Sequence, residues 1–142
     1  MPRVGIALGS NLGDRMANLN EAIRLIGEIA LKNEPFLKAP IYQTEPLHCP
    51  PDSPNFLNTV VEFSFDDSAE KLLELTREIE KSMGRKASPQ RNAPRVIDVD
   101  ILYLGEDRCN TSNLILPHPR LHERRFVLQP LADIRPDLVL PG

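Results

Sequence analysis

Twice along this chain the hydrophobic period changes from that of a strand to that of a helix and back, and few folds accommodate that order. From Arg15, the apolar residues Met16, Leu19, Ile23, Ile26 and Ile29 recur at spacings of three and four. That is one face of an amphipathic helix, and Asp14 stands where an N-cap belongs. Leu72, Leu73, Leu75, Ile79 and Met83 mark a second helix over 68–83, with Ser68 as its N-cap and Gly84 as its stop. The segments around these helices read as strands: Val4 to Leu8 before the turn-rich GSNLGD, Asn55 to Phe65, and Val96 to Leu104. Phe36 to Thr44 is strand-like but interrupted by Pro40, which places it at an edge or a bulge. Asn113 to Leu116 forms a further short strand, and Arg124 to Ala132 a short closing helix interrupted by Pro130. Strand, helix, strand, strand, helix, strand is the order of the ferredoxin-like split βαβ arrangement. The expectation is an α+β fold: an antiparallel sheet with both helices packed on one face and the opposite face open.

A chain of 142 residues suffices for one core, so residues 1–142 are expected to form a single domain. Its 41% hydrophobic and 26% charged residues are those of a soluble globular protein, and no run approaches the roughly 20 apolar residues of a membrane span. The apolar stretch after Arg3 is too short for a signal-peptide core, so the default location is cytoplasmic. Cys49 and Cys109 have neither zinc-site spacing nor disulfide density. A net charge of −3 argues against nucleic acid as the partner. Cations nonetheless gather on both sides of the 96–104 strand: Arg85, Lys86, Arg91 and Arg95 before it, and Arg108, Arg120, Arg124 and Arg125 after it.

Between those cations stands RVIDVDILYL, a buried strand except at Asp98 and Asp100. Side chains two apart on a strand share a face, with bases roughly 6–7 Å apart. Two like charges held so close are driven to bind a proton unless a cation lies between them. The alternatives are exposed carboxylates on the solvent side of a sheet, or a Mg²⁺ site in which waters and substrate phosphates complete the octahedron. The neighbouring arginines favour the second, because guanidinium and Mg²⁺ together neutralise a polyphosphate during transfer. Neither the GxxxxGK[ST] loop nor the dinucleotide fingerprint is present, so a triphosphate would be held by side chains and metal. The polar, proline-punctuated 85–94 segment is then either a solvated connector or a loop that closes over a nucleotide. The proline-rich 45–54 segment, with four prolines in ten residues, is a second long loop. His118, between two prolines in LPHPR, is structural or aimed at a phosphate oxygen. Asn58 places an amide inside a strand and requires a specific partner. Phe56 and Phe126 belong to the core or flank a flat ring.

Seven segments in order, ALGSNLGDR, YQTEPL, FLNTVVEF, IEKSMGR, APRVIDVDIL, LPHPR and RRFVLQPL, carry a resemblance over nearly the whole chain. The sequence resembles the 6-hydroxymethyl-7,8-dihydropterin pyrophosphokinases, folate-pathway enzymes that transfer pyrophosphate from ATP to a pterin alcohol, and whose fold is ferredoxin-like. The resemblance implies that Asp98 and Asp100 bind two Mg²⁺ ions bridging the ATP phosphates. It implies that Arg85 and Arg95 contact the polyphosphate, that His118 contacts ATP phosphates, and that Arg124 lies near the transferred group. Asn58 would hydrogen-bond the pterin, Phe56 and Phe126 sandwich it, and Thr44 and Leu47 line its pocket through their backbone. Ile101 and Leu114 would lie against adenine, and Glu80 near the ribose. The chain departs from the family pattern in its 85–94 loop, with Ala93 in place of a glycine and Ala87, Ser88 and Asn92 in place of cations and an aromatic residue. These departures bear on closure and turnover. The expected partners are small molecules, ATP and the pterin, bound by a monomer. Two rivals are a ligand-binding module of the same fold that does not transfer, and an RNA-binding domain, for which carboxylates on the open face are unfavourable.

Overall fold

The computed structural model describes residues 2–10, 13–44, 56–84, 96–105, 109–110, 114–116 and 132–135. Strand β1 (Arg3–Ser10) leads into helix α1 (Arg15–Ile29), and β2 (Leu37–Lys38), β3 (Tyr42–Thr44) and β4 (Phe56–Ser64) follow. Helix α2 (Ala69–Ser82) then precedes β5 (Asp98–Leu104), and β6 (Cys109–Asn110) pairs with β7 (Ile115–Leu116) in a small separate ribbon. The expected helix boundaries are found where their caps stand. The Asp14 carboxylate accepts from the Ala17 amide at 3.1 Å and the Ser68 hydroxyl from the Lys71 amide at 3.1 Å, each satisfying an orphan donor of the first turn. Gly84, at φ 91°, closes the second helix in a conformation that suits glycine.

The main sheet runs β2-β4-β1-β5 with β3 also on β4, every pairing antiparallel. This is the ferredoxin-like order that the alternation of periods implied. Helices α1 and α2 bury Leu19, Ala22 and Ile26, and Leu72, Thr76 and Ile79. They pack with Val4, Ile6, Leu8, Val61, Phe63, Val99, Ile101 and Leu104 of the sheet into one core. The interrupted 36–44 segment is two short strands, because Pro40 cannot donate to the ladder. Leu37 stands opposite Glu62 and Tyr42 opposite Asn58, so the break changes which alternate residues share a face.

The second sheet face differs from expectation. It was expected to be open, yet Val60, Glu62, Ser64 and Tyr103, which point to it, are buried. Part of the cover is residues 132–135. Residues 132–134 are helical, the Tyr42 hydroxyl donates to the Asp133 carboxylate, and Arg135 Nη1 donates to Glu62 Oε1 at 2.6 Å. The remainder of the expected 124–132 helix, with the 45–54 and 85–94 loops, lies outside the described residues.

Candidate active site

Strand register assembles the candidate site on the face away from the helices. Gly9 of β1 pairs with Asn58 of β4 on one side and with Asp98 of β5 on the other, and Tyr42 of β3 pairs with Asn58. Directly paired residues share a face, so Asp98, Gly9, Asn58 and Tyr42 form one row across the sheet. Gly9 carries no side chain, so none of its own atoms beyond the main chain stands between the carboxylate and the amide. Two strand spacings separate Asp98 from Asn58, about 10 Å. The adjoining row holds Asp100, Ala7 and Val60, and beyond Asn58 the strands continue with the pairing of Thr44 and Phe56.

The two aspartates are half-buried, and Asn58 is only 5% exposed. An amide so enclosed can be specific, because any ligand group that fails to match it leaves a buried polar group unpaired. Among the described residues no cluster of three or more His, Cys, Asp or Glu side chains could hold a metal by itself. Two oxygen ligands on one face, with neither imidazole nor thiolate beside them among those residues, suit a hard cation that keeps waters and phosphate oxygens in its shell. The donor set therefore fits Mg²⁺.

The expected site residues fall into four groups. Asp98, Asp100 and Asn58 are brought to one end of one face, and the main chains of Thr44 and Phe56 pair next to Asn58. Ile101 and Leu114 lie elsewhere by side chain: Ile101 is in the core on the helix side, and Leu114 packs against that core half-buried. A contact between Ile101 and a nucleotide on the aspartate face would have to be made by its main chain. Arg85, Arg95, His118, Arg124, Phe126 and Leu47 lie outside the described residues. Glu80 is on α2, and its Oε2 accepts from the Val99 amide at 3.0 Å, between the two aspartates in sequence.

Sequence reasoning missed a buried, heavily bonded acid of this face. Glu62, with its side chain 0% exposed, accepts from Arg3 Nε at 2.9 Å, from Arg135 and from the Tyr103 hydroxyl. Its signal was present: an acid inside a buried strand, four residues from Asn58 and therefore on the same face, requires partners for the same reason as the amide. Tyr103 reaches it across Gly5, where a Cβ would stand 2.3 Å from the ring. Burial pushes the Tyr103 phenol well above its ordinary value, and its bond to the Glu62 carboxylate adds to the shift.

Fold and site together define a ferredoxin-like α+β domain with a carboxylate pair facing an enclosed amide across a bare glycine. Residues 5–136 match the family model for 7,8-dihydro-6-hydroxymethylpterin-pyrophosphokinase, HPPK. The chain belongs to that family. It is 43% identical over 129 residues to the 2-amino-4-hydroxy-6-hydroxymethyldihydropteridine pyrophosphokinase of Bacillus subtilis, covering 91% of this chain and 75% of that protein. It is 41% identical over 131 residues to a folate synthesis bifunctional protein of Arabidopsis thaliana, covering 92% of this chain but only 26% of that one. The chain thus spans about a quarter of that longer relative. A Plasmodium falciparum HPPK-DHPS triple mutant, solved with pteroate, superposes with a TM-score of 0.70 at 14% identity. That superposition covers 98% of this chain and 40% of the other, and supports the fold alone. No helix among the described residues is long and apolar enough to cross a membrane.

Proposed function

We propose that this chain transfers the pyrophosphoryl group of ATP to 6-hydroxymethyl-7,8-dihydropterin, giving AMP and the pterin diphosphate. The observation that carries the reading is the row of Asp98, Gly9 and Asn58. It supports the reading because a carboxylate and an amide stand two strand spacings apart on one face, about the span of a bicyclic ring with its hydroxymethyl arm. Family membership supports the pterin alcohol as substrate, since the family and the bacterial relative are both named for it.

On this reading Asn58 fixes the pterin through its amide, and Phe56, Phe126, Thr44 and Leu47 enclose the ring. Asp98 and Asp100 hold two Mg²⁺ ions, which when bound supply positive charge to the polyphosphate oxygens. Arg85, Arg95, Arg124 and His118 surround the phosphates, while Ile101 and Leu114 belong to the nucleoside side. The hydroxymethyl oxygen forms its bond to the β-phosphorus, and the bond from that phosphorus to the oxygen bridging the α-phosphorus breaks. AMP leaves with the bridging oxygen and the hydroxyl proton passes to solvent. Positioning and charge neutralisation supply most of the acceleration in such transfers. A single domain acting as a monomer meets these requirements.

Product analysis tests the proposal. The protein is mixed with ATP, Mg²⁺ and the pterin alcohol, and AMP is quantified against ADP, with Asp98→Ala as control. AMP in step with pterin diphosphate, absent in the variant, is expected. Tight Mg²⁺-dependent nucleotide binding with no AMP would instead make this a binding module whose altered 85–94 segment does not support turnover.

A further inference from the structure

Strand β5 lies at the edge of its sheet, with β1 as its neighbour on one side. In an antiparallel ladder the main-chain groups of successive residues point alternately toward the partner strand and away from it. The Val99 amide donates to the Glu80 carboxylate of α2, at 3.0 Å. Val99 stands between Asp98 and Asp100, and its own side chain is sunk in the core against the helices. The strand segment that carries both aspartates is therefore held on three sides: by β1 through its pairing, by the core through Val99, and by α2 through the Glu80 carboxylate. A carboxylate accepting from an amide is a charge-assisted bond, about twice as strong as a neutral one.

We infer that Glu80 is a positioning residue for the Asp98 and Asp100 pair, acting through the Val99 amide rather than on a ligand. The inference deepens the function proposed above and rests on its assignment of the aspartates to a metal. An edge strand without this tie is free to shift outward from α2, and both carboxylates would shift with it. Groups that orient metal ligands from outside the coordination shell typically change metal affinity by about 10–100-fold when removed. Glu80 can exert that effect with no contact to nucleotide.

The test separates this role from a direct contact with ribose. Amide hydrogen exchange at Val99 is measured in the ligand-free protein for the parent, Glu80→Ala and Glu80→Gln. Mn²⁺ binding in the presence of a non-hydrolysable ATP analogue, and of its 2′-deoxy and 3′-deoxy counterparts, is followed by electron paramagnetic resonance. Glu80→Ala should lower Val99 protection by about 10-fold, as expected for losing one such bond. It should also weaken Mn²⁺ binding by about 10-fold or more, equally with all three nucleotides. Glu80→Gln retains an oxygen acceptor and should recover most of both losses. Unchanged Val99 protection in Glu80→Ala would overturn the inference, as would normal Mn²⁺ affinity despite lost protection. A loss that disappears with a deoxy analogue would assign Glu80 to the ribose. If the parent itself binds no Mn²⁺ with nucleotide, the metal assignment of Asp98 and Asp100 fails and the inference fails with it. That failure is recognised in the parent and cannot be confused with the others.

Discussion

Glu62 gives the sharpest energetic prediction, because its three partners differ in how well they can do without it. In Glu62→Ala the Tyr103 hydroxyl loses its acceptor at a site only 2% exposed, and an orphaned buried donor costs about 1–3 kcal/mol. The two arginines fare better. Arg3 is 23% exposed by side chain and still donates to the Pro35 carbonyl and the Ser64 hydroxyl. Arg135 is 35% exposed, so water replaces much of its lost ion pair, and each arginine then contributes no more than about 1 kcal/mol. The expected loss is about 3 kcal/mol, set mainly by the tyrosine. Tyr103→Phe alone should cost about 1 kcal/mol, since Glu62 keeps both guanidinium partners. In the Glu62→Ala background the same change removes an orphan instead of a bonded group and should cost nothing or restore about 1 kcal/mol. Urea unfolding of the four proteins, with midpoints compared at constant slope, measures the coupling. Strict additivity of the two substitutions would refute the placement of the tyrosine hydroxyl on Glu62.

Gly5→Ala should destabilise by about 3 kcal/mol, because the added Cβ would stand 2.3 Å from one ring atom of Tyr103 and 2.5 Å from another. In a chain that already carries Tyr103→Leu the same alanine should be tolerated far better, and equal losses in both chains, read from thermal melting, would contradict the packing. The raised Tyr103 value sets an alkaline limit: the folded chain keeps this proton after the unfolded chain, near pH 10, has lost its own. The associated stability is complete below that pH and declines above it by about 1.4 kcal/mol per pH unit, a limb that Tyr103→Phe should flatten in denaturant titrations between pH 9 and 11. Asp100→Asn should lower turnover by at least about 100-fold with little change in melting, whereas Asn58→Ala should weaken pterin binding by about 10-fold and leave nucleotide binding alone. Calorimetric titration of each ligand separates the two, and equal weakening of both ligands by Asn58→Ala would remove that residue from the pterin side.

Local signals made the helices and the order of elements legible. The Asp14 and Ser68 caps, the Gly84 stop and the stripes of three-and-four spacing are fixed by chain-local chemistry, and each was found where expected. The shared face of Asp98 and Asp100 was legible for the same reason, since no irregularity intervenes between them. Two irregularities hid the rest of the face. Between Ile6 and Gly5 the partner strand advances from Ile101 to Tyr103, so Leu102 is an extra residue and the alternation inverts beyond it. Simple period-two counting from Asp100 would send Tyr103 to the helix side. The Pro40 break does the same for Tyr42 on the other edge. A one-residue shift moves every later side chain to the opposite face, and nothing in the local composition of either segment announces it. The tie of Glu80 to Val99 was equally illegible, being a contact between a helix and a strand edge that only the packing of α2 on β5 creates.

Those same irregularities explain why one sheet face serves two purposes. Beyond Arg3 its central strand offers only Gly5, Ala7 and Gly9 on that side, so most of the contents of the face are decided by the flanking strands. At one end the bulge at Leu102 brings Tyr103 over Gly5, and Glu62 locks it there with Arg3 and Arg135. This end is filled by the protein's own side chains. At the other end the strand has not yet reached the bulge, Asp98 and Asn58 stand to either side of Gly9, and no aromatic side chain of β5 lies across it. A buried ion pair is weak support for stability in itself, but its partners here come from β1, β4 and the 132–135 turn. Residues 132–135 also bond Tyr42 through Asp133, in the row that contains Asn58. The filled end therefore fixes residues 132–135, and these reach back to Tyr42, the strand partner of the amide to which the proposal assigns ring recognition.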